Sequence, residues 1–154
     1  MKPLILYYSY RGNTQRIAER IHAAIGGDIA RIDTVVPYTG SYDDVVAQGE
    51  REVKQGFLPE LKAMDIDLSR YDTIVLGTPV WWYTCAPAMR AFLTAHDLGG
   101  KTVYPFATNG GWTDMRIATL PIGYADGFIR AYSGARAVIR TADGKLLGDA
   151  RVIG

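Results

Sequence analysis

The chain holds 154 residues, 48% of them hydrophobic and 21% charged, with a formal net charge of +1. That is one ordinary soluble domain, 1–154, long enough for a core; no basic stripe marks a nucleic-acid binder and no apolar run reaches the length of a membrane span. The single cysteine, Cys85, cannot form an intrachain disulfide, and the N-terminus lacks the basic patch and long apolar region of a signal peptide, so the expected compartment is cytoplasmic.

Pro3-Leu4-Ile5-Leu6-Tyr7-Tyr8 is a β-favouring apolar run that feeds the short polar loop Ser9-Tyr10-Arg11-Gly12-Asn13-Thr14. A helix follows at once, with Ile17, Ala18, Ile21 and Ile25 on one face, and Gly26-Gly27 stops it. Such a loop can lay backbone N–H groups and the Ser9 and Thr14 hydroxyls around one anion at a helix N-terminus, where the dipole already favours negative charge. Asp28 to Asp33 alternates polar and apolar and reads as an outer strand. Ser41 is the expected N-cap of a second helix, with Asp44 three residues on and Tyr42, Val45, Val46, Gly49 and Val53 as its inner face, ending near Gly56. Within it, Glu50-Arg51-Glu52-Val53-Lys54 reads as a solvated face. Residues 57–68 read as irregular surface chain.

Asp72 to Gly77 is a strand apolar on both faces, as a parallel sheet requires, opening into a loop at 78–83. Met89, Phe92 and Leu93 give the next helix its inner face, and Pro87 fits its first turn. After Gly99-Gly100 comes a strand at 101–106, then the loop Ala107 to Trp112. Alternating strands and helices imply an α/β doubly wound parallel sheet, in which ligands sit beyond the carboxyl ends of the strands. In the order 2-1-3-4-5 the loops after strands one, three and four are neighbours: anion donors in the first, aromatics and glycine in the others. A ligand with a phosphate at one end and a flat ring at the other suits this layout.

Tyr-Ser-Tyr-Arg-Gly-Asn-Thr resembles the FMN-phosphate loop of flavodoxins, except that Arg11 stands where the family commonly has Thr, exchanging a hydroxyl for a guanidinium that can fork onto phosphate oxygens. Leu-Gly-Thr-Pro-Val-Trp-Trp-Tyr and Phe-Ala-Thr-Asn-Gly-Gly-Trp resemble the ring-flanking loops of a subfamily of short bacterial flavodoxins, so the match covers residues 1–112. The resemblance implies FMN as cofactor, with phosphate held by Ser9, Arg11, Gly12, Asn13 and Thr14. It implies the ring edge at Thr78, Pro79, Val80, Trp81 and Trp82, and the far side closed by Thr108, Asn109, Gly110 and Gly111. The bland alternative is that Trp81, Trp82 and Tyr83 anchor the core.

Residues 113–154 depart from this pattern. Ile-Gly-Tyr-Ala-Asp-Gly and its flanks resemble part of the C-terminal domain of alanine racemases, with Tyr124 at the position of their catalytic tyrosine. The barrel that carries the pyridoxal-phosphate lysine has no counterpart here, so racemase activity is not expected. Either a helix over 125–133 with a strand at 137–140, or a β-hairpin of 136–140 and 146–153 across Asp143-Gly144, would complete the sheet; Gly123 and Gly127 favour the hairpin. An edge left over would invite a homodimer.

Cys85 and Arg90 miss the phosphatase spacing by one residue, and His22 and His96 lack partners at metal-ligand spacing. The expected function is therefore that of an FMN-binding flavoprotein oxidoreductase with no general acid or base of its own, taking electrons from NAD(P)H or a redox partner protein and passing them to a small quinone-like acceptor. Shuttling flavodoxins are strongly acidic as a family and this chain is not, which ranks an electron shuttle second. A flavin-free interaction module is the alternative from another class.

Overall fold

A computed structural model of the protein describes residues 2–82 and 84–108 with their side chains, and residues 127–130, 136–141 and 146–151 as backbone. Leu4–Tyr7 form β1, whose alternating side chains serve two layers. Leu4 and Leu6, with Tyr8 beyond the strand end, join a core with Ile74, Leu76, Met89 and Phe92; Ile5 and Tyr7 join another with Ile17, Ala18, Ile21, Val75 and Phe106. Fully burying one such side chain is worth about 1.5–3 kcal/mol, so these two layers are what hold the strand tips in place.

Helix α1 (Asn13–Ile25) covers the second layer and β2 (Asp28–Arg31) pairs parallel to β1. Helix α2 (Tyr42–Gln55) follows, then β3 (Thr73–Trp81), the short β4 (Thr84–Cys85), helix α3 (Pro87–Ala95) and β5 (Thr102–Thr108). Helix α3 buries Met89 and Phe92 in the first layer, as its spacing requires. Strands β6 (Gly127–Arg130), β7 (Arg136–Thr141) and β8 (Leu146–Arg151) complete an eight-stranded sheet in the order β2-β1-β3-β5-β6-β7-β8, with β4 attached to β3. Pairing is parallel from β2 through β6, so the five parallel strands follow the flavodoxin-like order 2-1-3-4-5. The antiparallel β7–β8 pair then extends the sheet and brings β8 against α1.

The two strands of the favoured hairpin are present and paired, over 136–141 and 146–151, and 127–130 is strand rather than helix. Other expectations are corrected. Residues 78–81 are not loop: β3 continues through them, because Thr78, Val80 and Trp81 favour extended backbone and Val80 and Trp81 find antiparallel partners in Cys85 and Thr84. The next strand likewise runs on to Thr108. Gly77 is fixed by packing across this pair: a Cβ there would sit 2.2 Å from the Phe106 ring, its neighbour in register. Tyr42 and Ile25 lie outside, at 61% and 38% exposure, since each sits at a helix end beyond the edge of its core layer. Glu52, assigned to a solvated face, is buried on the stripe it shares with Val45 and Gly49.

Candidate functional site

The loop between β1 and α1 is shaped by one residue that only glycine tolerates well. Gly12 is the N-cap of α1 with φ 91°, and it offers no side chain to the first-turn amides. That turn also carries no acidic residue. Helix α2 is built oppositely: Ser41 Oγ accepts from the Asp44 N–H at 3.1 Å and Asp44 Oδ2 accepts from the Ser41 N–H at 3.0 Å. Asp44 thereby falls below the usual carboxylate range. So α2 supplies its own anion, and α1 leaves its positive end for another.

The loop is held rigidly. Buried Ser9 accepts from the Gly12 N–H at 3.0 Å, which leaves its hydroxyl proton for a further acceptor. Arg31, at the end of β2, donates to the Ser9 carbonyl at 2.6 Å and to Gln15 Oε1 at 3.1 Å. Nothing in the sequence pattern of an outer strand marked Arg31 for this task. Arg16 donates to the Asn13 side chain. Arg11 lies over the rings of Tyr42 and Tyr10, at 5.0 and 5.7 Å from their centroids. Its guanidinium is thus drawn to aromatic faces at the rim of the loop.

The strand tips converge. The hydroxyls of buried Thr14 and buried Thr108 share a hydrogen bond of 2.9 Å, tying the start of α1 to the end of β5. Thr108 in turn stands opposite Pro79 in the β3–β5 register, and Thr78 opposite Ala107. Thr78 turns its hydroxyl inward, donating to the Pro79 carbonyl at 2.9 Å and accepting from the Ala86 N–H at 3.0 Å, so it pins the β3–β4 reversal. Pro79 and Val80 are half-buried beside it.

The two tryptophans take different places. Trp81 is half-buried in a cage of tyrosines, edge-on to Tyr8 and Tyr10 at 6.0 Å and to Tyr38 at 4.8 Å. Trp82 is 40% exposed with φ 50°, and its indole N–H donates to the Val46 carbonyl at 3.0 Å. The positive φ of a bulky residue marks a sharp, strained turn beyond the carboxyl end of β3. Tyr8, Tyr10 and Tyr38 were not singled out from the sequence; their contribution comes from contacts across the fold, which spacing alone does not reveal. Asn109, Gly110, Gly111, Trp112, Tyr83 and Tyr124 lie outside the described residues.

Cys85 is buried in β4, and burial pushes its thiol up, away from the thiolate that a nucleophile needs. His22 bonds the Gly27 carbonyl and His96 the Phe92 carbonyl, each at 2.9 Å, so both serve helix ends. Among the described residues, no helix is long and apolar enough to cross a membrane.

A family profile described as flavodoxin matches residues 2–122, and one described as the alanine racemase C-terminal domain matches residues 107–150. Two solved structures are similar to the chain. A flavoprotein from Lactobacillus acidophilus NCFM, crystallised in complex with FMN, is 26% identical with a TM-score of 0.70, over 85% of this chain and 90% of that one. A candidate flavoprotein from Bacteroides eggerthii is 35% identical with a TM-score of 0.66, over 72% of each chain. A curated relative, NAD(P)H dehydrogenase (quinone) of Chromohalobacter salexigens, is 32% identical over 101 residues, 59% of this chain. The match spans 45% of that relative's length.

Proposed function

Because the chain belongs to the flavodoxin family, we propose that it binds FMN at the converged strand tips and works as a flavoprotein oxidoreductase, accepting electrons from NAD(P)H and passing them to a small quinone-like molecule. The observation that carries this reading is the open start of α1, joined to the end of β5 by the Thr14–Thr108 hydrogen bond. The donor set fits a phosphate monoester. An uncapped helix start, the Ser9 hydroxyl, and one proton left over from the Thr14–Thr108 pair all converge without a competing carboxylate in the first turn. A Cβ built on Gly12 would meet nothing within 4 Å, so the cradle is open on the side a ligand needs.

When bound, FMN supplies the redox chemistry, taking up electrons singly or as hydride. The protein's part is to bind and tune. Ser9, Gly12, Asn13 and Thr14 hold the phosphate. Arg11 reaches it by leaving the Tyr42 ring. The Pro79–Trp82 turn borders the ring, with Thr108, Asn109, Gly110 and Gly111 on the other side. Thr78 acts from behind, by fixing the turn's geometry. No side chain serves as general acid or base in this reading.

NAD(P)H as donor and a quinone as acceptor draw support from the Chromohalobacter relative, and FMN from the Lactobacillus one. The chain is read as one domain, because β6, β7 and β8 continue the sheet begun by β1, and its single cysteine suits the cytoplasm. Among the described residues the sheet ends at β2 and at β8, and such an edge is the place for a homodimer contact.

The test is spectroscopic. Purified protein should carry a yellow chromophore, or acquire one on FMN titration, and release FMN on denaturation. Stopped-flow mixing with NADPH should bleach the flavin directly, and a quinone should restore the colour. Bleaching only through a partner reductase would instead indicate an electron shuttle. A colourless protein that FMN cannot saturate would refute the reading in favour of a flavin-free module.

A further inference from the structure

Glu52 is 8% exposed, and its Oε2 is buried with no hydrogen-bond partner among the described residues. A leucine on this stripe of α2 would bury more cheaply, because a carboxyl oxygen without a partner is costly in an apolar setting. The other oxygen explains the choice. Glu52 Oε1 accepts from the Tyr38 hydroxyl at 3.1 Å, and the Tyr38 ring meets the Trp81 indole edge-on at 4.8 Å. The same helix supports the indoles from below. A Cβ on Gly49 would lie 3.2 Å from the Trp81 ring, and the Val46 carbonyl holds Trp82. Val46, Gly49 and Glu52 recur at three-residue steps, so one side of α2 meets Trp82, Trp81 and the Tyr38 that packs on Trp81.

We propose that Glu52 is a positioning residue: through Tyr38 it seats the Trp81 indole, and a proton on its carboxyl keeps that seat closed. On the flavin reading above, the Trp81 turn borders the ring, so the seat sets how well the ring binds. The groups facing Glu52 are the Tyr38 phenol from the loop before α2, the Tyr8 phenol from the end of β1, and Gln48 and Arg51 from α2 itself. Arg51 is the one formal charge among them, and it is exposed. Burial accordingly lifts the Glu52 carboxyl above the usual carboxylate range, with the Tyr38 hydroxyl, Gln48 and the Arg51 charge pulling the other way. Ionisation places a charge inside a tyrosine–tryptophan cage where the Tyr38 hydroxyl and the Gln48 side chain are its donors and Oε2 stays buried. The cage relaxes by letting water reach Oε2, and Tyr38 follows the carboxylate, which it bonds more strongly than the acid, so Trp81 loses its edge contact with Tyr38.

The experiment follows the indole with and without FMN. Near-ultraviolet circular dichroism and tryptophan emission are recorded from below the ordinary glutamate range to mildly alkaline pH for the wild type, Glu52→Gln, Tyr38→Phe and Trp81→Phe. The wild type should show one transition with a midpoint above that of a free glutamate. Its Trp81 component should vanish in Trp81→Phe, where Trp82 and Trp112 remain as the background, and the transition should vanish in Glu52→Gln, which keeps shape and acceptor but cannot titrate. In Tyr38→Phe the midpoint should rise further, since a donor to the carboxylate is removed. FMN affinity of Glu52→Gln should match that of the wild type on the acid side of the wild-type transition and lose its pH dependence. Tyr38→Phe should bind FMN about fivefold more weakly. A Glu52→Gln profile that follows the wild type, or an unchanged Trp81 signal in Tyr38→Phe, overturns the proposal. Glu52→Gln is isosteric, so it decides the matter even if Tyr38→Phe fails to fold. A wild type that binds no FMN removes the flavin reading, while the optical titrations still decide whether Glu52 seats Trp81.

Discussion

Gly12 gives the sharpest test of the anion cradle, because its two roles can be separated. At φ 91° any L-residue is strained, at a cost of about 1–2 kcal/mol, although a Cβ there would touch nothing within 4 Å. Gly12→Ala therefore measures strain alone and should lower Tm by about 2–8 °C. Gly12→Glu adds a carboxylate at the helix start. Held about 5 Å from a phosphate, in an effective dielectric of about 20, it would repel each phosphate charge by about 3 kcal/mol. The site is half-buried, so screening roughly halves this, and the expected loss of FMN affinity is about ten- to a hundredfold beyond that of Gly12→Ala. Fluorescence titration of both variants with FMN, beside thermal melts, measures the difference. A Gly12→Glu protein that binds FMN as well as Gly12→Ala would refute the cradle.

Arg31→Leu removes both bonds to the β1–α1 loop and should weaken FMN binding about tenfold, with little change in the far-ultraviolet spectrum; titration with FMN measures it. Gly77→Ala forces a methyl into the Phe106 ring and should destabilise by about 1–3 kcal/mol in urea unfolding, with partial rescue by Phe106→Leu. The Asp44 carboxyl is held low by Ser41, so its contribution is present above the unfolded aspartate pKa and lost as pH falls through the lowered folded value. Asp44→Asn should accordingly flatten the acid limb of a Tm-against-pH curve, and an unchanged limb would remove the capping box from the account.

The sequence carried a great deal of this fold, for reasons that are local. Apolar runs bounded by Gly26-Gly27, Gly56 and Gly99-Gly100 mark the strands and helices, and Ser41 with Asp44 announces a cap that the structure contains. The loop at 9–14 was legible because glycine and small polar residues between a strand and a helix leave few alternatives. The reach of β3 through Thr78–Trp81 was not, since its partner β4 is two residues long and too short to leave a periodic signal. Glu52 was misplaced for a related reason. Charged neighbours at 50, 51 and 54 suggest solvent, and only its stripe with Val45 and Gly49 turns it inward. Arg31 and the tyrosines around Trp81 act across long sequence separations, which one unaligned chain cannot disclose. Tyr38 and Glu52 are themselves brought together only when α2 docks against the tip of β3.

The bracing of the β1–α1 loop by Ser9, Arg31 and Thr14 has a kinetic consequence. Apart from the Arg11 side chain, little chain entropy would remain to be surrendered on arrival of the proposed anion, so capture would resemble insertion into a nearly finished mould. Differences among variants of this loop should then surface in how long the guest stays, with rates of arrival nearly shared across the series.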